Sequence, residues 1–179
     1  VNRIKRGVLA GAAGTLALEI VTYGDMTSRG RPSSDLPARA AGELAKMVGS
    51  DLGDGEQATN RQTGIGSLLG YGAGIGLGTA VGIVAGRRRL PRLKGPVLLG
   101  ALAMIAGDMP MVALGVTNPR TWTKKEWLTD AVPHAAYGLA TALVWNSLAK
   151  AENKTHASRA KRWRKRSRTV IDAAGAVAA

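Results

Sequence analysis

Charged side chains are gathered at the start of the chain and in residues 24–63, 87–95, 119–130 and 150–168, and the stretches between them are nearly free of charge. Four such stretches stand out, near 8–23, 65–86, 96–116 and 131–148. About 30 Å of hydrocarbon takes about 20 mostly apolar residues at about 1.5 Å each, so all four are read as membrane spans. Backbone amides cannot stay unpaired in lipid, which makes each span a helix. The first and fourth are short or polar at one end.

The pattern thus predicts an all-α integral membrane four-helix bundle over 1–149, with an outer loop over 24–63 and a basic tail over 150–179. Within the loop, Ser34 is placed to cap a helix beginning near Asp35, with Pro37 in its first turn. Leu36, Ala40, Leu44 and Met47 recur on one face of it. The expectation is an extracytoplasmic amphipathic helix, either lying on the outer surface or packed over the bundle.

Charge sets the direction. Three cations precede the first span, five lie in 87–94 and nine in 150–168. The opposite side receives five in the long loop and three in the last one, together with most of the acids. By the positive-inside rule both termini are cytoplasmic, in a bacterial plasma membrane. The opening Arg3, Lys5 and Arg6 before an apolar run looks like a signal peptide, but Glu19 interrupts that run and further spans follow. An uncleaved first helix is the better reading.

The net charge of +13 and pI near 10.9 would point to nucleic acid in a soluble chain. Here the expected partner is membrane lipid, with nucleic acid disfavoured. Arg162, Arg164, Lys165, Arg166 and Arg168 form a polybasic stretch suited to anionic headgroups at the cytoplasmic face. Cysteine is absent, which removes disulfides, thiolate metal sites and a Cys nucleophile.

Gly66, Gly70, Gly74, Gly78, Gly82 and Gly86 repeat every four residues through the second span. Glycine at this spacing lets another helix backbone approach closely. The segment is therefore expected to be a packing spine, joining the chain to itself, to further copies or to a larger membrane complex. A shift of 89 residues lays 8–12 on 97–101 and Glu19 on Asp108, and a second register lays 76–80 on 138–142. The spans then read as two duplicated helix pairs.

Glu19, Asp108 and His134 are the ionisable residues in or at the edge of the spans. Charge in a bilayer is costly, so such groups usually face the protein and have partners. Asp108 is either a structural hydrogen-bonded acid or an ion or proton site, with Pro110 able to kink the helix beside it. Asp25, Arg29, Arg31, Arg61 and Arg120 form an outer polar set. They line one pocket above the carboxylates or make a salt-bridged cap. Trp122, Trp127, Tyr23 and Tyr137 are read as anchors at the outer interface.

No catalytic signature is present: no HExxH pair, no nucleophile elbow, no phosphate loop, and two histidines in all. No cofactor or metal is expected. The strings YGDM at 23–26 with RGRPSS at 29–34, Asn60 and Arg61 before the Gly-rich span, NPRTW at 118–122, Trp127 and PHAAYG at 133–138 resemble a group of small multi-span actinobacterial membrane proteins with no assigned activity. The resemblance covers most of 8–145 and implies a bacterial inner membrane. The leading expectation is a non-catalytic structural or accessory subunit packing through its glycine helix. The alternatives are a small transporter or channel using Asp108 and, less supported, a membrane enzyme acting on a lipid or envelope precursor.

Overall fold

The computed structural model describes residues 2–86 and 88–177, with side chains described as far as Glu152. The described chain is all helical. It comprises α1 (Arg3–Arg29), α2 (Leu36–Met47), α3 (Gly55–Ala85), α4 (Lys94–Ala113), a single 3-10 turn (Pro119–Thr121) and α5 (Lys124–Val177). Three of these, α1, α3 and α4, are long and apolar enough to cross a membrane. The fourth expected span, 131–148, lies inside α5, which does not meet that criterion; Pro133, His134 and Asn146 make it more polar than the others. Helix α5 runs without a break through position 150, where the tail was expected to begin.

Local chemistry sets the helix ends. Asn2 caps α1, its Oδ1 accepting from the Lys5 N–H at 2.8 Å, and Gly30 closes the helix at φ +61°. Ser34 Oγ accepts from the Leu36 N–H at 3.3 Å, with Pro37 in the first turn of α2. Before α5, Thr123 and Glu126 form a reciprocal capping box: Glu126 Oε2 accepts from the Thr123 N–H at 2.6 Å and Thr123 Oγ1 accepts from the Glu126 N–H at 3.3 Å.

Helix α1 packs between α3 and α5, and α5 between α1 and α4, whereas α3 and α4 touch little. Two of the three extensive contacts, α1 with α3 and α4 with α5, bring backbone against backbone at glycine. A Cβ on Gly78 would meet the Gly7 carbonyl at 2.5 Å and the Gly11 backbone at 2.5–2.7 Å. A Cβ on Gly138 would collide with the Pro96 carbonyl and lie 2.5 Å from the Gly100 nitrogen. No side chain fits at either crossing, so each pair owes its close approach to a missing methyl group.

The glycine spine divides by use. Gly74, Gly78 and Gly82 face α1, and Gly66 lies against the Pro37 backbone of α2. At Gly70 a Cβ would have nothing within 4 Å, and the same holds at Gly86, which ends α3 at φ +61°. Helix α2 lies on α3 through Ala40, Ala41 and Ala45, leaving Leu44, Met47 and Val48 exposed. Of the expected face of Leu36, Ala40, Leu44 and Met47, Ala40 is buried in the packed side while Leu44 and Met47 are not. Small alanines allow a close seat on α3, and the larger apolar groups turn outward.

Candidate functional site

The expected polar residues sort into three separate groups. Asp108, in the last two turns of α4, lies against Asp130 in the first turns of α5. His134, one turn after Asp130, places Nδ1 3.3 Å from Asp130 Oδ1 and 2.8 Å from the Asp130 carbonyl. Asp130 Oδ2 is buried and receives no donor from the described residues. Pro133 and Pro110 stand next to this cluster, each inside its helix. A proline lacks the N–H that would bond four residues back, so each leaves one more acceptor in the neighbourhood. Among the described residues no group of three or more His, Cys, Asp or Glu converges on a metal-sized site.

Glu19 does not join them. It lies on α1 beside Tyr23, one turn on, with Tyr71 of α3 nearby. The outer set is not a single pocket either. Asp25 pairs with both Arg29 and Arg31, and Arg29 reaches Thr129 of α5 at 2.9 Å, tying the C-terminal end of α1 to the N-terminal end of α5. Arg61 instead donates to the Leu52 carbonyl at 2.9 Å, and Arg120 is exposed on the 3-10 turn. Of the four aromatic anchors, Tyr23 and Trp127 are exposed and Trp122 stacks edge-on against Trp127 with centroids 5.0 Å apart. Tyr137 is buried in the core, where its hydroxyl donates to the Gly74 carbonyl at 2.6 Å. It joins α5 to α3 across α1, because the glycine opposite leaves that carbonyl reachable.

A second built cluster, at the other end of the bundle, was not anticipated. Arg6 is fully buried. Its guanidinium lies 3.9 Å from the centroid of Trp145, pairs with Glu152 at 3.2 Å and donates to the Gly86 carbonyl at the end of α3. Trp145 Nε1 donates to the Arg88 carbonyl at 2.9 Å, and Asn146 holds Leu90 at both backbone groups, at 2.9 and 3.1 Å. The α3–α4 connection is thus fastened to α5 and α1. A sequence signal existed: Arg6, Ala10 and Gly14 follow each other at four-residue spacing, which puts the arginine on the small-residue face of α1. The polybasic residues Arg162, Arg164, Lys165, Arg166 and Arg168 lie outside the residues whose side chains are described.

The glycine helix keeps one unoccupied face. Leu69, Gly72, Gly76, Ala80 and Ile83 fall on the side of α3 turned away from α1. Gly72 and Gly76 have nothing within 4 Å of where a Cβ would stand, and Leu69 and Ile83 are exposed.

No protein-family model matches this chain, and no curated protein or solved structure matches it either.

Proposed function

We propose that the chain is a multi-pass protein of a bacterial plasma membrane, with both ends in the cytoplasm, acting as a non-catalytic accessory subunit that docks another membrane helix on α3. The single observation behind this is the open Gly72–Gly76 face. Glycines on the opposite side of the same helix illustrate the use of such notches, since Gly78 admits the backbone of α1. A notch turned to lipid has no matching partner, whereas a second helix fits it closely. Because the chain has no cysteine, Gly76→Cys is a clean crosslinking probe. It is expected to give a discrete adduct, to a second copy or to one co-purifying protein, while Val97→Cys on the exposed side of α4 does not. Equal yields from both positions would remove the docking role.

The bilayer placement draws on packing as well as charge. Segment 131–148 of α5 lies alongside α1 and α4, so if those two cross the membrane α5 lies at the same depth, its polar groups turned onto Asp108 and the α3–α4 connection. The two helix pairs are read as repeats. Gly78 meets the backbone at Gly7 and Gly11, and Gly138 meets it at Pro96 and Gly100, positions that a shift of 89 residues superimposes. These contacts match Gly78 with Gly138, two residues away from the register suggested by sequence strings alone.

A second reading, a small transporter or channel using Asp108, is favoured by the Asp108–Asp130–His134 cluster. Proton flux into proteoliposomes that falls at least about tenfold in Asp108→Asn, with the fold intact, supports it; flux unchanged from protein-free vesicles removes it.

A further inference from the structure

A cavity of about 280 Å³ opens at the outer end of the bundle, between α2, the start of α3 and the last turn of α4. We propose that it holds the headgroup of a zwitterionic phosphoethanolamine lipid, with the phosphate on Arg39 and the ammonium on Glu43. Both residues line the cavity, with Lys46 and Gln62 beside them and Leu114, Gly115 and Val116 opposite.

The wall on α2 supplies one uncommitted cation. Lys46 is held by Glu43 Oε1 at 2.8 Å, whereas the Arg39 guanidinium has no hydrogen bond or ion pair to the described residues. A planar guanidinium suits a phosphate, which accepts two parallel N–H donors. The other oxygen of Glu43 likewise has no hydrogen bond to the described residues. The opposite wall offers a ligand no donor. It is the C-terminal end of α4, where the N–H groups of Leu114, Gly115 and Val116 are already spent on the carbonyls of Pro110, Val112 and Met111. A simple anion would find no further N–H there and would lie beside the Glu43 carboxylate; a zwitterion uses both Arg39 and Glu43.

Spacing agrees with this choice. Arg39 and Glu43 are one turn apart, so their Cβ atoms stand about 5–6 Å from each other. The two-carbon bridge of phosphoethanolamine separates its charges by a comparable span. Met47 and Val48, both strongly exposed, follow Lys46 at the end of α2 and offer an apolar surface to the acyl chains.

The test is native mass spectrometry of the full chain in detergent with equal amounts of phosphatidylethanolamine, phosphatidylcholine and phosphatidylglycerol. One phosphatidylethanolamine is expected to be retained several-fold over the other two. Choline cannot donate a hydrogen bond to Glu43, and the glycerol headgroup has no ammonium. Arg39→Gln is expected to cut that retention about tenfold, and Glu43→Gln to abolish the preference over phosphatidylglycerol. Lys125→Gln, on exposed α5, leaves it unchanged. Equal retention of all three lipids, preference for phosphatidylglycerol, displacement by excess inorganic phosphate, or an unaltered Arg39→Gln would each overturn the proposal. Only the leaflet assignment rests on the membrane orientation above. Retention in detergent is independent of it, so the two can fail separately.

Discussion

The Arg6 guanidinium stacks on the Trp145 ring at 3.9 Å, and neither side chain is reached by solvent. Cation–π attraction is strongest when both groups are dry, and here an ion pair with Glu152 and the Gly86 carbonyl act on the same cation. One side chain thereby joins α1, the end of α3 and α5. Arg6→Ala is expected to lower stability by about 3–5 kcal/mol, the range for breaking a buried pair. Arg6→Lys keeps the charge but loses the planar fork and is expected to fall between the two. Thermal unfolding in one detergent ranks the three proteins; equal midpoints for Arg6→Ala and the wild type would remove the latch.

The two faces of α3 give opposite responses to the same change. Gly78→Leu forces α1 and α3 apart at their crossing and is expected to cost at least about 1–3 kcal/mol, the usual range for overpacking. Gly76→Leu points into open space and is expected to change monomer stability by less than about 0.5 kcal/mol. It should nevertheless abolish docking. Unfolding in detergent combined with co-purification separates the two effects in a single pair of variants.

The start of α5 depends on pH through Glu126. Hydrogen bonds from the Thr123 hydroxyl and N–H hold its carboxyl below the ordinary glutamate range. A depressed folded-state pKa contributes stability that is present above the unfolded value and lost as pH falls through the folded one. The Thr123 amide resonance is expected to shift as pH drops below the usual glutamate range, reporting loss of the capping box. In Glu126→Gln that titration is expected to vanish. A shift that persists in the variant would assign it to another group.

The helices are legible in the sequence because lipid and helix geometry both act on single residues in chain order. Long uncharged runs, the caps at Asn2 and Ser34 and the glycine period all appear locally. Partner choice is not legible. Nothing local says that Gly78 meets Gly11 while Gly76 meets nothing, or that Asp108 faces Asp130 rather than Glu19, because these depend on how α1 and α5 are ordered in the bundle. Tyr137 shows the same limit. Its position along the chain points to an interface role, yet it is buried because a glycine across the bundle exposes a carbonyl to it. The face of α2 departs from its pattern for a related reason: hydrophobic periodicity favours large residues, but contact with α3 requires small ones.

The central claim, that the bundle crosses the membrane with both ends inside and that α5 crosses with it, is tested most directly by single-cysteine labelling of intact cells with a membrane-impermeant maleimide. Cysteines at Ser34 and Lys125 are expected to react from outside, and those at Asn2, Lys94 and Ala151 only after permeabilisation. Labelling of Lys125→Cys and Ala151→Cys from the same side would contradict the account, since α5 would not cross.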